Sequence, residues 1–281
     1  MRSELSLTDS WNRCRSNTFA PVEFLLVIVV ALAGAFLSFF SGFGLGTLLL
    51  PAFLLFFPTE VAIAATAVVH MLNNVFKLFL VGRYADKKII LGFGTLSLIG
   101  SIGGAYLLGK VIHNGDLFSY HLGGEIIHVK TIQFVIGILI LIFAILEIAP
   151  WFNAIQLNRK ILPIGGLISG FFGGLSGHQG ALRSAFLMKA GLSKEAMMGT
   201  RVVCACLVDM SRITVYAAAI GSGWLQLNPV LIGVATLAAF TGAWFGNKWM
   251  KKTELPVINK VITISLMLFA IAMASGLMKA G

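Results

Sequence analysis

Charge is what this sequence has least of. Only 11% of its residues are Asp, Glu, Lys or Arg, less than half the share of an ordinary soluble domain, which is roughly 25%. A chain so short of charge cannot cover a solvated globular surface, and no polar stretch is long enough to bury a core of its own. Cysteine is nearly absent too. Cys14, Cys204 and Cys206 are odd in number and show no CxxC or Cys/His metal spacing, so a disulfide framework and a zinc site are both excluded. There is no nucleophile elbow, phosphate-binding P-loop or HExxH motif. An enzyme is therefore not expected.

What the sequence does have is apolar length. Hydrophobic residues make up 58% of it and the mean hydropathy is +0.92. Runs of roughly 20 apolar residues, enough to cross a hydrocarbon core, recur along the chain. The net charge of +10 comes from Lys and Arg at the ends of those runs. That is the pattern of topology signals beside anionic lipid rather than of nucleic-acid binding. The expected fold is an all-α polytopic membrane protein with about eight segments. Spans are expected over 22–41, 60–82, 89–112, 130–148, 162–176, 195–220, 227–248 and 258–278. Residues 1–20 read as a polar leader rather than a signal peptide, because the apolar run from Val22 to Phe40 exceeds a typical signal core. The stretch 113–129 reads as a loop.

Two apolar pieces, 47–57 and 181–191, are too short to span. Each follows a glycine-rich break, Ser41-Gly42-Phe43-Gly44-Leu45-Gly46 or Ser176-Gly177-His178-Gln179-Gly180, so each reads as a half-helix. A shift of 135 residues lays Ser41-Gly42 on Ser176-Gly177, Glu60 on Glu195, Asn74 on Asp209 and Lys77 on Arg212. With a three-residue slip, Gly104-Ala105 meets Gly242-Ala243 and Lys110 meets Lys248. A repeat is expected: first half 21–148, linker 149–161, second half 162–281. The basic loops 83–88, 158–160, 189–194 and 248–260 then belong in the cytoplasm and the uncharged 221–226 outside, which inverts one half relative to the other. Each half would open with a broken, re-entrant hairpin, although this puts Arg2, Arg13 and Arg15 outside.

Irregular backbone survives inside a membrane only where it is buried or lines a cavity. One glycine break alone reads as tight helix packing. A matched pair reads as a site, because the N-termini of two half-helices offer free N–H groups and positive dipole ends to an anion. Gly44, Gly46, Gly177 and Gly180 would let backbone approach the ligand. His70, Asn73, Asn74 and Lys77 share one helical face, and Arg201, Asp209 and Arg212 share a stripe in the other half. Lys77 and Arg212 stand about a turn from a helix end, so each either faces a pathway or snorkels to the interface. Asp209 is either an ion-pair partner for Arg212 or Arg201, or a protonatable coupling group. His178, beside Gln179, either meets an anion or a proton or caps the broken backbone. Arg183 offers a planar fork for paired anion oxygens. The cysteines Cys204 and Cys206 read as packing residues, and the irregular spacing of His113, His121 and His128 argues against a metal.

At these residues the chain resembles the TauE/SafE family of sulfite and organosulfonate exporters, over roughly 22–278. The likeness rests on Gly42-Phe43-Gly44-Leu45-Gly46 through Pro51, then Glu60-Val61-Ala62 and Thr66-Ala67. In the second half it rests on Gly177-His178-Gln179-Gly180, Glu195-Ala196 and Thr200-Arg201. The chain departs from the family's usual triple glycine in both halves and from its Thr-Ser after the break, at the positions where ligand would bind. The resemblance implies a bacterial inner-membrane transporter exporting a small sulfur-containing anion by alternating access. An anion channel and a membrane scaffold without transport are the competing expectations. The expected partners are a small anionic substrate and the lipid bilayer, with homodimerisation left open and no cofactor or nucleic acid.

Overall fold

The structure, a computed structural model, describes residues 21–40, 44–112, 114–150, 159–177, 180–188, 190–220, 227–249 and 256–278. Its first half contains α1 Pro21–Leu37, α2 Leu45–Leu54, α3 Thr59–Val81, α4 Lys87–Ile112 and α5 Thr131–Ile148. Its second half contains α6 Leu162–Ser176, α7 Gly180–Met188, α8 Lys194–Ile220, α9 Pro229–Trp249 and α10 Pro256–Ala274. Helices α3, α4, α5, α8 and α9 are long and apolar enough to cross a bilayer. The chain is thus a multi-pass helical membrane protein. Helices α1 and α6, expected as spans, are shorter, as are α2 and the Lys260–Ala274 part of α10. The polar leader expected over 1–20 lies outside the described residues.

Local chemistry sets several of these limits. Glu60 and Glu195 stand in the first turns of α3 and α8, where a carboxylate complements the positive helix end. Asp86 caps α4, accepting from the N–H groups of Lys88 at 2.9 Å and Ile89 at 3.0 Å. Its own N–H donates to Thr200 Oγ1 at 2.9 Å, tying this corner to α8.

The helices pair in an exchanged pattern. Helix α1 packs on α9 and α6 on α4; α3 also meets α9, while α8 meets α4. The pairs α3–α8 and α5–α10 join further helices of the two halves, and the pairings named here follow one rule. Each pairing maps onto another, or onto itself, when the helices of one half are replaced by their counterparts in the other. The α4–α6 seam is a glycine contact in both directions. Methyl groups at Gly100 or Gly104 would overlap the carbonyls of Leu167 or Phe171, and methyls at Gly166, Gly170 or Gly174 would overlap those of Phe93, Ser97 or Ser101. Without a hydrophobic force between helices in lipid, such close backbone approach supplies the packing attraction. Around this core the outer face is apolar, with Phe79, Leu91 and Leu237 exposed as a lipid-facing surface requires.

The reading of 113–129 as a loop needs correction. Residues Asp116–Leu122 (β1) and Glu125–Lys130 (β2) pair antiparallel. Gly123 and Gly124 supply two positive φ values, +59° and +87°, as a two-residue hairpin turn requires. The Tyr120 hydroxyl donates to the Ser275 carbonyl at 2.8 Å, which docks the hairpin beyond the end of α10. The outward His128 pairs with Asp116 at 2.9 Å, both side chains being exposed. His113 lies outside the described residues.

Candidate functional site

Both breaks lie against one cavity. In the first, helix α1 ends at Leu37 and α2 starts after Gly44, whose extended backbone (φ −120°) provides no side-chain cap. In the second, Gly177 closes α6 with φ +76°, its N–H donating to the Gly173 carbonyl at 2.9 Å. That left-handed conformation suits glycine, and a methyl group there would also run into the Arg212 guanidinium. Helix α7 then folds back along α6, so that its Phe186 ring covers Gly165 in the first turn of α6. The expected site residues His178 and Gln179 lie outside the described residues.

The cavity between the breaks has a volume of about 50 Å³. Gly44, Gly46 and Thr47 of the first break line it, as do Gly177 and Gly180 of the second, together with His70, Asn74, Lys77, Arg183 and Arg201. Both half-helices therefore bring their N-terminal turns to its wall, where several N–H groups have no partner within the helix. Asn73 and Arg212 do not reach this wall and support it from behind. Ser38, Thr47, Met198, Val202 and Ala205 also line it, and the sequence reading missed them. Ser38 in the last turn before one break and Thr47 in the first turn after it carried a signal, as small polar residues flanking irregular backbone.

The wall is cationic. Lys77, 5% exposed, donates to Ser38 Oγ at 2.5 Å and stands 5.1 Å from the centre of the Phe39 ring. With the Asn73 amide turned to satisfy both its groups, its nitrogen donates to the Ala239 carbonyl and its oxygen accepts from Lys77, each at 3.2 Å. Among the described residues no carboxylate comes within ion-pair distance of Lys77. Arg183 on α7 donates through Nη1 to the Arg201 carbonyl at 2.8 Å, and its buried Nε has no hydrogen-bond partner. Arg201 on α8 interacts electrostatically with Glu147 of α5. Lys77 and Arg212 are buried, at 5% and 2% exposure, unlike snorkelling side chains, and Lys77 and Arg201 line the cavity.

Behind the wall sits Asp209, with no exposed surface. Its Oδ2 accepts from His70 Nδ1 and from Asn74 Nδ2, both at 2.7 Å. Its Oδ1 faces Arg212 Nη2 at 2.9 Å, close enough for an ion pair but off the hydrogen-bond direction. Asp209 is thus a structural partner as well as an intramembrane carboxylate. Arg212 in turn supports the underside of the Gly177 break. Next to it the Tyr216 hydroxyl donates to the Gly174 carbonyl at 2.5 Å, holding the last turn of α6. Asn74 and Asp209, separated by 135 positions, hydrogen-bond directly to each other across the α3–α8 contact. Among the described residues the cluster holds four cations, Lys77, Arg183, Arg201 and Arg212, against two acids, Asp209 and Glu147. It can hold and orient an anion; no paired nucleophile and base is present among its described residues.

The family model described as Sulfite exporter TauE/SafE covers residues 26–273. No curated protein and no solved structure matches the chain.

Proposed function

The chain belongs to the TauE/SafE sulfite exporter family, and from that premise we propose that it is a secondary transporter exporting a small sulfur-containing anion, with sulfite the best-fitting substrate. The two halves work as inverted repeats of a bacterial inner membrane protein, and access to the cavity alternates between its faces. The exchanged helix pairing supports the repeat reading. The observation that carries the anion reading is the cavity between the two breaks, walled by Lys77, Arg183 and Arg201 with too few acids to balance them. Each charge held in the membrane costs at least ~2.5–3.5 kcal/mol on insertion scales, so an excess of cations marks a place that an anion completes. Two half-helix N-termini add to this, each favouring negative charge by about 0.3–1 kcal/mol and up to ~2 kcal/mol when partly buried.

Size narrows the substrate. The volume of about 50 Å³ accommodates roughly three to five water-sized atoms at about 10–15 Å³ each. Sulfite, with one sulfur and three oxygens, is of that size. The test is transport of labelled sulfite into liposomes holding the purified protein, with Arg183→Ala and Arg201→Ala as variants. Wild-type protein should carry sulfite, and each variant should lose at least about tenfold of the rate, the equivalent of ~1.4 kcal/mol, while remaining folded. Full transport by both variants would remove this site from the mechanism. Stabilisation of the protein by anions in thermal melts separates a transporter from a scaffold, which binds none.

A further inference from the structure

We propose that His70 takes up a proton as the anion enters, so that the cavity carries one anion and one proton together. This rests on the anion reading above and adds its co-substrate.

The geometry fixes which nitrogen is available. Asp209 Oδ2 already accepts from Asn74 Nδ2, and Asp209 Oδ1 faces Arg212, so the carboxylate is held as an acceptor. His70 Nδ1, 2.7 Å from Oδ2, must then be the nitrogen that carries hydrogen. Asn74 Nδ2 also lies 3.1 Å from that nitrogen; both atoms donate to Asp209, so this is a close approach and not a second bond. A carboxylate on one imidazole nitrogen sets the tautomer and the orientation of the ring. The other nitrogen, Nε2, is aimed at the cavity. It lies beside the N-terminal turn of α2, 3.7 Å from where a methyl group at Gly44 would sit. Among the described residues Nε2 has no hydrogen-bond partner.

In neutral His70, Nε2 therefore turns a lone pair towards the place where anion oxygens would rest, which repels them. A proton converts it into a donor. Lys77 on its own helix and Arg212 on α8 act electrostatically on His70, and Arg183 of α7 and Arg201 of α8 line the same cavity. Among the described residues the acid beside it is Asp209, and no titratable side chain of α1, α2 or α9 lines the cavity. With the cavity empty these cations oppose one more positive charge; with an anion inside they do not. The two ligands thus favour each other reciprocally, as linkage requires. The step is balanced: a proton from water forms the Nε2–H bond on one side and returns to water when the anion leaves on the other. No electrons are exchanged. A monovalent anion then moves without net charge.

The experiment uses the full chain in nanodiscs with isotopically labelled histidine nitrogens, His70 being assigned by the loss of its signals in His70→Gln. Without anion at neutral pH, Nδ1 should be protonated and Nε2 bare. Saturating sulfite, or sulfate as an anion of fixed charge, should move the Nε2 resonance into the protonated range. Binding is followed in parallel by the thermal shift of the same sample. Anion that stabilises the protein while the His70 Nε2 resonance stays in place overturns the inference and spares the anion reading. An imidazolium already present without anion also overturns it. Absence of stabilisation by sulfite, sulfate and methanesulfonate alike overturns the anion reading and the inference with it.

Discussion

Positions that the 135-residue shift lays on each other make different contacts. Position 74 is Asn and its counterpart 209 is Asp; position 77 is Lys and its counterpart 212 is Arg. In the first half the cation faces neutral partners, Ser38 and Asn73, and its ammonium lines the cavity. In the second half the cation is held by Asp209, sits beneath Gly177 and stays out of the cavity. One amide-to-carboxylate difference accompanies the contrast between a cation that lines the cavity and a cation paired with a buried carboxylate. The cavity arginines deepen the asymmetry, since the positions opposite Arg183 and Arg201 are Leu48 and Thr66.

The largest effect should come from erasing that difference. Asp209→Asn leaves Arg212 buried, 2% exposed, without a counter-charge, which costs about 3–5 kcal/mol for a broken buried pair. Chemical or thermal unfolding in detergent should show it. Asp209→Asn with Arg212→Leu should recover part of the loss, because no uncompensated charge remains. A double variant as unstable as the single one would mean that Arg212 does not depend on Asp209.

The breaks should differ next. Gly177→Ala forces a side chain into a left-handed conformation at roughly 1–2 kcal/mol and also displaces the Arg212 guanidinium. Gly44→Ala meets nothing closer than His70 Nε2 at 3.7 Å, so its unfolding temperature should stay near wild type. Equal losses of stability would erase the distinction between a strained break and a relaxed one.

Lys77→Met sharpens the same contrast on the functional side. Removing a cation with no carboxylate partner should leave stability unchanged or raise it, while sulfite transport falls by about tenfold or more (~1.4 kcal/mol). Arg212→Met should instead lower stability, because it strands Asp209. The smallest change is expected at the hairpin. Tyr120→Phe removes one hydrogen bond, worth about 0.5–1.5 kcal/mol, and should leave transport rates as they are.

Much of this was legible beforehand. The five long spans, the half-helices and the convergence of polar residues from α3 and α8 follow from apolar length, from glycine and from the cost of charge in lipid. The hairpin was not read, although Gly123-Gly124 between alternating strands signals one, because a short polar stretch between two apolar runs looks like any loop. Ser38 and Thr47 were missed because one hydroxyl in a helix usually satisfies itself on its own backbone, as Ser38 also does with the Ala35 carbonyl at 2.6 Å. The link between His70 and Asp209 is not legible in the sequence, since the two lie 139 positions apart.

Composition and periodicity alone determined that this chain is a membrane protein of apolar helices interrupted twice, because burying backbone in hydrocarbon allows little else. Only the tertiary structure decided which cation is neutralised and which nitrogen of His70 faces the cavity. Those outcomes depend on contacts a few ångströms long between residues far apart in the chain, and charges in a low-dielectric interior are governed by distance, not by sequence order.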